Sequence, residues 1–200
     1  MQRRADLDVI AGFVRPGSRV LDLGCGSGEL LRRLRDEKKV EGEGIELSDE
    51  GVQACIGKGL AVHHGDIDEG LQSYADASFD HVILSQTLQV THKPLFVLSE
   101  MLRVGSEAIV SIPNFGHWSM RLQLALGHMP VTETFPYEWH DTPNIRHATV
   151  KDFKDFCRRQ GLSIEREAYL SNERRVRRVA AGSNLLARVA VFVIGGKDGV

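Results

Sequence analysis

The chain lacks any apolar run near the roughly 20 residues that a membrane-spanning helix requires. It lacks a strong charge of either sign. A net charge of -2 argues against a protein whose main work is coating nucleic acid. Cysteine is scarce: Cys25, Cys55 and Cys157 are odd in number, far apart and without metal-ligand spacing, which suits a reducing compartment. At the N-terminus, Asp6 and Asp8 interrupt what would have to be the apolar core of a signal peptide. The expectation is a cytoplasmic protein, with neither membrane nor nucleic acid as its partner. Internal repeats and low-complexity tracts are absent too. At 200 residues, a single domain over 1–200 is the natural reading.

What is present is an alternation of short apolar runs and helical segments. Residues 19–24, 41–47, 60–66, 79–85 and 106–113 read as buried strands, and 28–39, 48–59 and 93–104 as the helices between them. Ser48 stands as an N-cap before the second of these helices. Parallel neighbours need crossover connections, so the pattern predicts an α/β fold with a doubly wound, mostly parallel sheet. After a helix at 149–161, two strand-like runs at 162–170 and 184–196 have no predicted helix between them and are expected to form an antiparallel hairpin. Its connection carries the basic run Glu173 to Arg178, which reads as a solvated loop. The end of the chain, 195–200, reads as a frayed tail.

The first strand-to-helix loop holds Asp22, Gly24, Cys25, Gly26 and Gly28. Glycines at this place let a ligand approach the backbone, and a helix start offers free N–H groups. A dinucleotide or S-adenosylmethionine could use such a loop. The dinucleotide fingerprint Gly-Xaa-Gly-Xaa-Xaa-Gly fails here, since its third glycine position is Glu29. Carboxylates recur at the expected ligand-facing strand ends, as Asp22, Glu46 and Asp66. They would repel a pyrophosphate and favour the ammonium and sulfonium of S-adenosylmethionine. Glu46 lies 18 residues beyond Gly28, close to the spacing at which an acidic side chain takes both ribose hydroxyls.

Asp-Leu-Gly-Cys-Gly-Ser-Gly at 22–28, with Gly-Ile-Glu-Leu at 44–47, His-Gly-Asp-Ile at 64–67 and the strand at 79–85, resembles the class I S-adenosylmethionine-dependent methyltransferases. The resemblance implies a Rossmann-like seven-stranded sheet and a bound S-adenosyl-L-methionine or S-adenosylhomocysteine. It also implies roles. Gly24 and Gly26 would pass under the methionine part, and Asp22 would orient the loop or meet the amino group. Glu46 would take the ribose, with Leu47 beside the adenine. Asp66 would accept the adenine amino group, Ile67 would pack on the ring, and Ser85 would close the floor.

Methyl transfer needs more than a donor site. After the fourth strand the chain reads Ser-Gln-Thr-Leu-Gln-Val, without the Asn-Pro-Pro-Tyr-like element of nucleic-acid amino methylases. His92, His117, His140 and His147 are candidate bases, none of them assignable as catalytic, and none has helical metal spacing. Asp66 and Asp68 have the spacing of a calcium loop, but its next acidic position is Gly70, so no metal is expected.

Residues 114–147 break the alternation with aromatics, histidines and prolines. Leu122, Ala125, Leu126 and Met129 form one helical face, while Met120 and Leu124 point elsewhere, and a helix apolar on two sides asks for burial on both. Phe115, Trp118, Arg121, Tyr137 and Trp139 are of types enriched at interface hot spots. Pro-Asn-Phe-Gly-His-Trp at 113–118, Met-Pro at 129–130, Thr-Pro-Asn-Ile-Arg-His at 142–147 and Asp-Phe at 152–153 resemble the MetW family of methionine-biosynthesis proteins. That resemblance implies a protein partner, homoserine O-acyltransferase, whose acylation of homoserine the family supports. The segment at about 114–147 is then expected to be a lid or docking insert. An active methyltransferase with a small acceptor under the insert is the competing expectation.

Overall fold

The computed structural model describes residues 4–172 and 181–196. Seven strands form one sheet: β1 (Arg19–Leu23), β2 (Glu41–Glu46), β3 (Ala61–His64), β4 (Phe79–Ser85), β5 (Gly105–Pro113), β6 (Ser163–Leu170) and β7 (Val189–Gly195), in the order β3-β2-β1-β4-β5-β7-β6. The first five pair in parallel. Strand β7 runs antiparallel to both β5 and β6, so the returning arm of the C-terminal hairpin lies inside the sheet.

Among the described residues seven α-helices accompany the sheet: α1 (Ala5–Phe13), α2 (Glu29–Lys38), α3 (Asp49–Gly57), α4 (Pro94–Val104), α5 (Trp118–Ala125), α6 (Val150–Gln160) and the short α7 (Ser183–Leu186). Strand periodicity sends alternate side chains to two cores. Val82, Leu84, Val110 and Phe192 pack with α4 and α6 on one face. Ile83, Ile109, Val191 and Val193 pack with α1, α2 and Cys55 of α3 on the other. Caps fix the helix starts as the sequence predicts for Ser48, whose Oγ accepts the Gly51 N–H at 3.2 Å. Thr149 and Asp152 close a capping box on α6.

Two elements depart from the sequence-based expectation. Helix α1, which the sequence pattern does not mark, has no side-chain N-cap hydrogen bond and buries Asp6, so its periodicity is weak. The run at 184–196 is not strand throughout: its first turn is α7, and β7 begins only at Val189. The cause is Asn114, fully buried where β5 ends. Its Nδ2 donates to the carbonyls of Asn184 and Ala187 at 3.2 and 2.7 Å, drawing that backbone into a turn. Its Oδ1 accepts the N–H groups of Gly116 and Val150 at 3.0 and 3.1 Å. One side chain thus pins the exit of β5, the start of α6 and the entry to β7. The basic run at 173–178 and the last four residues of the expected tail lie outside the described residues.

Asn114→Ala leaves these buried groups without partners, and the loss is expected to be about 3 kcal/mol. Urea unfolding should show a lower midpoint with an unchanged slope; a shift under about 0.5 kcal/mol would contradict the pinning role.

Candidate functional site

The C-terminal ends of β1, β2 and β4 face one crevice, where ligands of open α/β sheets bind. The loop after β1 is tied to β2 by Gly24 and Cys25, whose N–H groups both donate to the Ile45 carbonyl, at 2.8 and 3.1 Å. Gly24 has φ of 67°, and a Cβ on it would stand 2.8 Å from Thr87 Cγ2. Gly26 has φ of 54°, but a Cβ there would meet no atom within 4 Å. The backbone at Gly26 therefore borders open space, as a ligand cradle requires.

Glu46 holds the loop from the side. Its Oε2 accepts the Gly26 N–H at 2.8 Å, and its Oε1 accepts the Ser48 N–H and Oγ–H at 2.9 and 2.7 Å. Burial pushes this carboxyl up, but the hydrogen bonds from Ser48, Gly26 and Leu47 outweigh it and hold Glu46 below the ordinary carboxylate range. Oε1 is taken up by these two donors, and Oε2 keeps a lone pair for a hydroxyl donor.

Two cavities adjoin the loop and share Gly24. The larger, of about 340 Å³, is lined by Glu46, Leu47, Asp66, Ile67, Thr87 and His92 among others. The smaller, of about 120 Å³, is lined by Arg4, Asp22, Cys25, Gly26 and Ser85 among others. Nine of the ten predicted donor-site residues thus line this crevice. Gly28 lines neither cavity: a Cβ on it would collide with Leu60 and Cys55, so it serves the packing of the loop on α3. Leu47 leaves 63% of its surface exposed at the rim of the larger cavity, an apolar side chain without a lid.

Asp22 is the anomaly of the site. It is 2% exposed, and its Oδ1 has no hydrogen-bond partner among the described residues. Burial raises its pKa to about 7; nearby Arg4 pulls it down and Glu46 adds to the rise. Burial, with Asp22 close by, also pushes the Cys25 thiol up, which makes it a poor nucleophile. Its sulfur lies 3.8 Å from that of Cys55.

The sequence motifs gave no sign of Arg4. Its guanidinium donates to Asp6 Oδ2 at 2.7 Å and to Ser85 Oγ at 2.8 Å, beside Asp22. Asp6 also accepts from Gln86 Nε2 and Ser111 Oγ, so α1 is bolted to the ends of β4 and β5. Asp68 has a positioning role. Its carboxylate accepts the His92 and Lys93 N–H groups at 2.8 and 2.7 Å, fixing one wall of the larger cavity. No cluster of metal-binding side chains occurs among the described residues.

The candidate bases separate. His92 lines the larger cavity. His117 is the N-cap of α5: its Nδ1 accepts the Ser119 N–H, and burial, with Arg188 nearby, lowers its pKa. His147 stacks on Phe135, and burial lowers its pKa too. His140 packs edge-on against Trp139. Met120 is the buried apolar side chain of α5, while Trp118, Leu122 and Leu124, and Leu126 just past its end, are exposed.

A family model described as "Methionine biosynthesis protein MetW" matches residues 4–194. A relative from Rhodopirellula baltica, "Bifunctional methionine biosynthesis protein MetXA/MetW", is 36% identical over 174 residues, covering 82% of this chain. The chain spans only 28% of that relative's length. Among solved structures, a SAM-dependent methyltransferase from Archaeoglobus fulgidus superposes with a TM-score of 0.70 at 18% identity, covering 94% of this chain and 90% of that one. The [4+2]-cyclase SpnF superposes at 0.67 and 17% identity, covering 96% and 81%. At these identities the likeness shows the fold alone, and one fold serves both printed activities.

The site geometry predicts a pH signature. With its pKa raised from 3.8 to about 7, Asp22 stabilises the fold fully below 3.8, and that stability is lost as pH rises through 7. Asp22→Asn is expected to gain about 3 kcal/mol over the native chain at pH 8.5 relative to pH 4. Urea unfolding at the two pH values measures this; an equal difference at both would contradict it.

Proposed function

The chain belongs to the MetW family of methionine biosynthesis proteins, and on that premise we propose that it binds S-adenosylmethionine or S-adenosylhomocysteine and acts with homoserine O-acyltransferase, supporting the acylation of homoserine. The observation that carries the partnership is the relative whose printed name joins MetXA to MetW in one chain. We take its MetXA portion as the acyltransferase. Two activities fused in one relative are commonly borne by partners elsewhere, since fusion replaces an affinity by a tether.

The ligand assignment rests on the chemistry of the donor set. Asp22 needs a cation to satisfy its buried oxygen, and an α-ammonium is one. Arg4, above the same small cavity, offers the matching charge for an α-carboxylate. Gly24 and Gly26 let the chain between the two ends pass close to the backbone. Glu46 accepts ribose hydroxyls, and Leu47, Asp66 and Ile67 enclose the base. Cys25 and Ser85 complete the small cavity, Ser85 by holding Arg4. Bound S-adenosylmethionine would bring an electrophilic methyl group, but the proposed role requires only its binding.

The outward side of α5 supplies the docking surface. Trp118, Leu122 and Leu126 stand on the side opposite Met120, and a stable helix with two apolar sides is completed by a second covering. The segment at about 114–147 is accordingly a docking insert in one domain, and its aromatic residues Tyr137 and Trp139 are exposed with it. The cellular setting is the cytoplasm. No described helix is long and apolar enough to cross a membrane, and the three cysteines are free.

Mixing the chain with homoserine O-acyltransferase should give co-elution in gel filtration and a faster acylation rate. Leu122→Ser with Trp118→Ser should weaken the complex by about tenfold or more, since each buries apolar area, without lowering the melting temperature. Absence of both co-elution and rate change would overturn the partnership.

A further inference from the structure

Behind the donor crevice lies a second cavity, of about 250 Å³, that shares no lining residue with it. The one-turn 3₁₀ helix Leu88–Val90 is the partition. Thr87 and Val90 line the donor side, while Leu88 and Gln89 line the far side. The far cavity is closed by Phe135 and Ala148 from the segment after β5 and by Phe153 and Phe156 from α6. Most of its wall is apolar, and three charged residues, Arg146, Arg159 and Asp152, join it.

The polar groups specify an occupant. Gln89 Nε2 donates to the Gln86 carbonyl at 2.6 Å, which fixes the orientation of the amide. Its Oε1 is then buried with no hydrogen-bond partner among the described residues. Gln89 is a lining residue of the cavity, and a buried acceptor left unmet asks for an N–H or O–H donor. Asp152 turns one oxygen to the α6 cap: its Oδ2 accepts both the N–H and the Oγ–H of Thr149. Arg146 spends Nε and one terminal nitrogen on the carbonyls of Thr91 and His92, leaving its other terminal nitrogen. Arg159 makes no ion pair among the described residues. Two guanidinium groups against one capped carboxylate leave the lining with a positive balance.

We infer that this cavity is a binding site for a small carboxylate with an apolar body and one hydrogen-bond donor, such as an N-acylated amino acid or a hydroxy- or indole-substituted acid. Its volume lies just below the range of drug-sized pockets, so a compact metabolite fits and a peptide does not. The apolar body replaces van der Waals contacts that the phenylalanines lack across the void. The donor meets Gln89 Oε1, and the carboxylate meets Arg146 and Arg159. Neither the donor ligand nor the acyltransferase partnership is needed for this inference.

Calorimetric titration of the full chain tests it with three probes: N-acetylleucine, indole-3-acetate and 4-hydroxyphenylacetate. At least one should bind with a Kd below about 1 mM, and about tenfold tighter than its uncharged counterpart (N-acetylleucine amide, 3-methylindole or 4-ethylphenol). Ala148→Leu, which fills the void, should weaken that probe by about tenfold or more, with an unchanged melting temperature. Arg159→Gln, on the exposed rim, should weaken it by about threefold or more and covers the case in which Ala148→Leu does not fold. The inference is overturned if none of the probes binds, if the carboxylate makes no difference, or if binding is unchanged in the folded variants.

Discussion

A buried carboxylate with an unsatisfied oxygen is the feature around which this molecule is arranged. Asp22 is the penultimate residue of β1, inside the sheet, where β1 has partners on both sides and the side chain is buried. Ionised, it costs stability, and protonated, it has lost the charge that would recruit a cation. The surrounding residues keep it close to that balance. Arg4 lies near enough to ease ionisation, yet is itself held by Asp6 and Ser85. Glu46 adds like charge while clamping the Gly26 N–H that shapes the cradle. A ligand with an ammonium group would relieve a cost already built into the free protein, which is how strain at a binding site becomes affinity.

The crevice at the strand ends is not isolated from the segment that follows β5. The Ile145 and Arg146 N–H groups both donate to the Gln89 carbonyl at 3.0 Å, and the Arg146 side chain reaches the carbonyls of Thr91 and His92. Thr91 and His92 line the larger cavity of the crevice. One hydrogen-bonded unit therefore joins a wall of the crevice to the segment whose α5 carries the exposed apolar side chains. Asn114 anchors the other end of that segment to the sheet. The tie between crevice wall and segment is made at Ile145 and Arg146, through backbone and guanidinium hydrogen bonds.

Much of this was legible in the chain alone, for local reasons. Buried strands such as 79–85 and 106–113 read as continuous apolar runs, and the loop at 22–28 announces itself through closely spaced glycines. The two-sided apolarity of Leu122, Leu126 and Met120 also survives as a pattern, because helical period and burial are both local. What escaped was non-local. Arg4 reaches the site only because Asp6 bonds to Ser85, Gln86 and Ser111, residues far along the chain. In the sequence, Asn114 is only one residue of the Pro-Asn-Phe-Gly-His-Trp motif, and His117 only one of four candidate bases. The partners of Asn114 at 184, 187 and 150 make it a structural pin, and His117 is a helix cap. The short α7 replaced expected strand for the same reason, since the groups that bend it lie 70 residues away. Gly28 matched the loop motif but serves packing, a distinction that depends on Leu60 and Cys55 arriving from another part of the chain.

The most direct measurement of the central claim is the heat of S-adenosylhomocysteine binding at pH 6 in buffers of different ionisation enthalpy. With the Asp22 pKa at about 7 in the free protein, binding of the ammonium should release about one proton, and Asp22→Asn should abolish the release. Absence of binding, or binding by the native chain without proton release, would contradict the account.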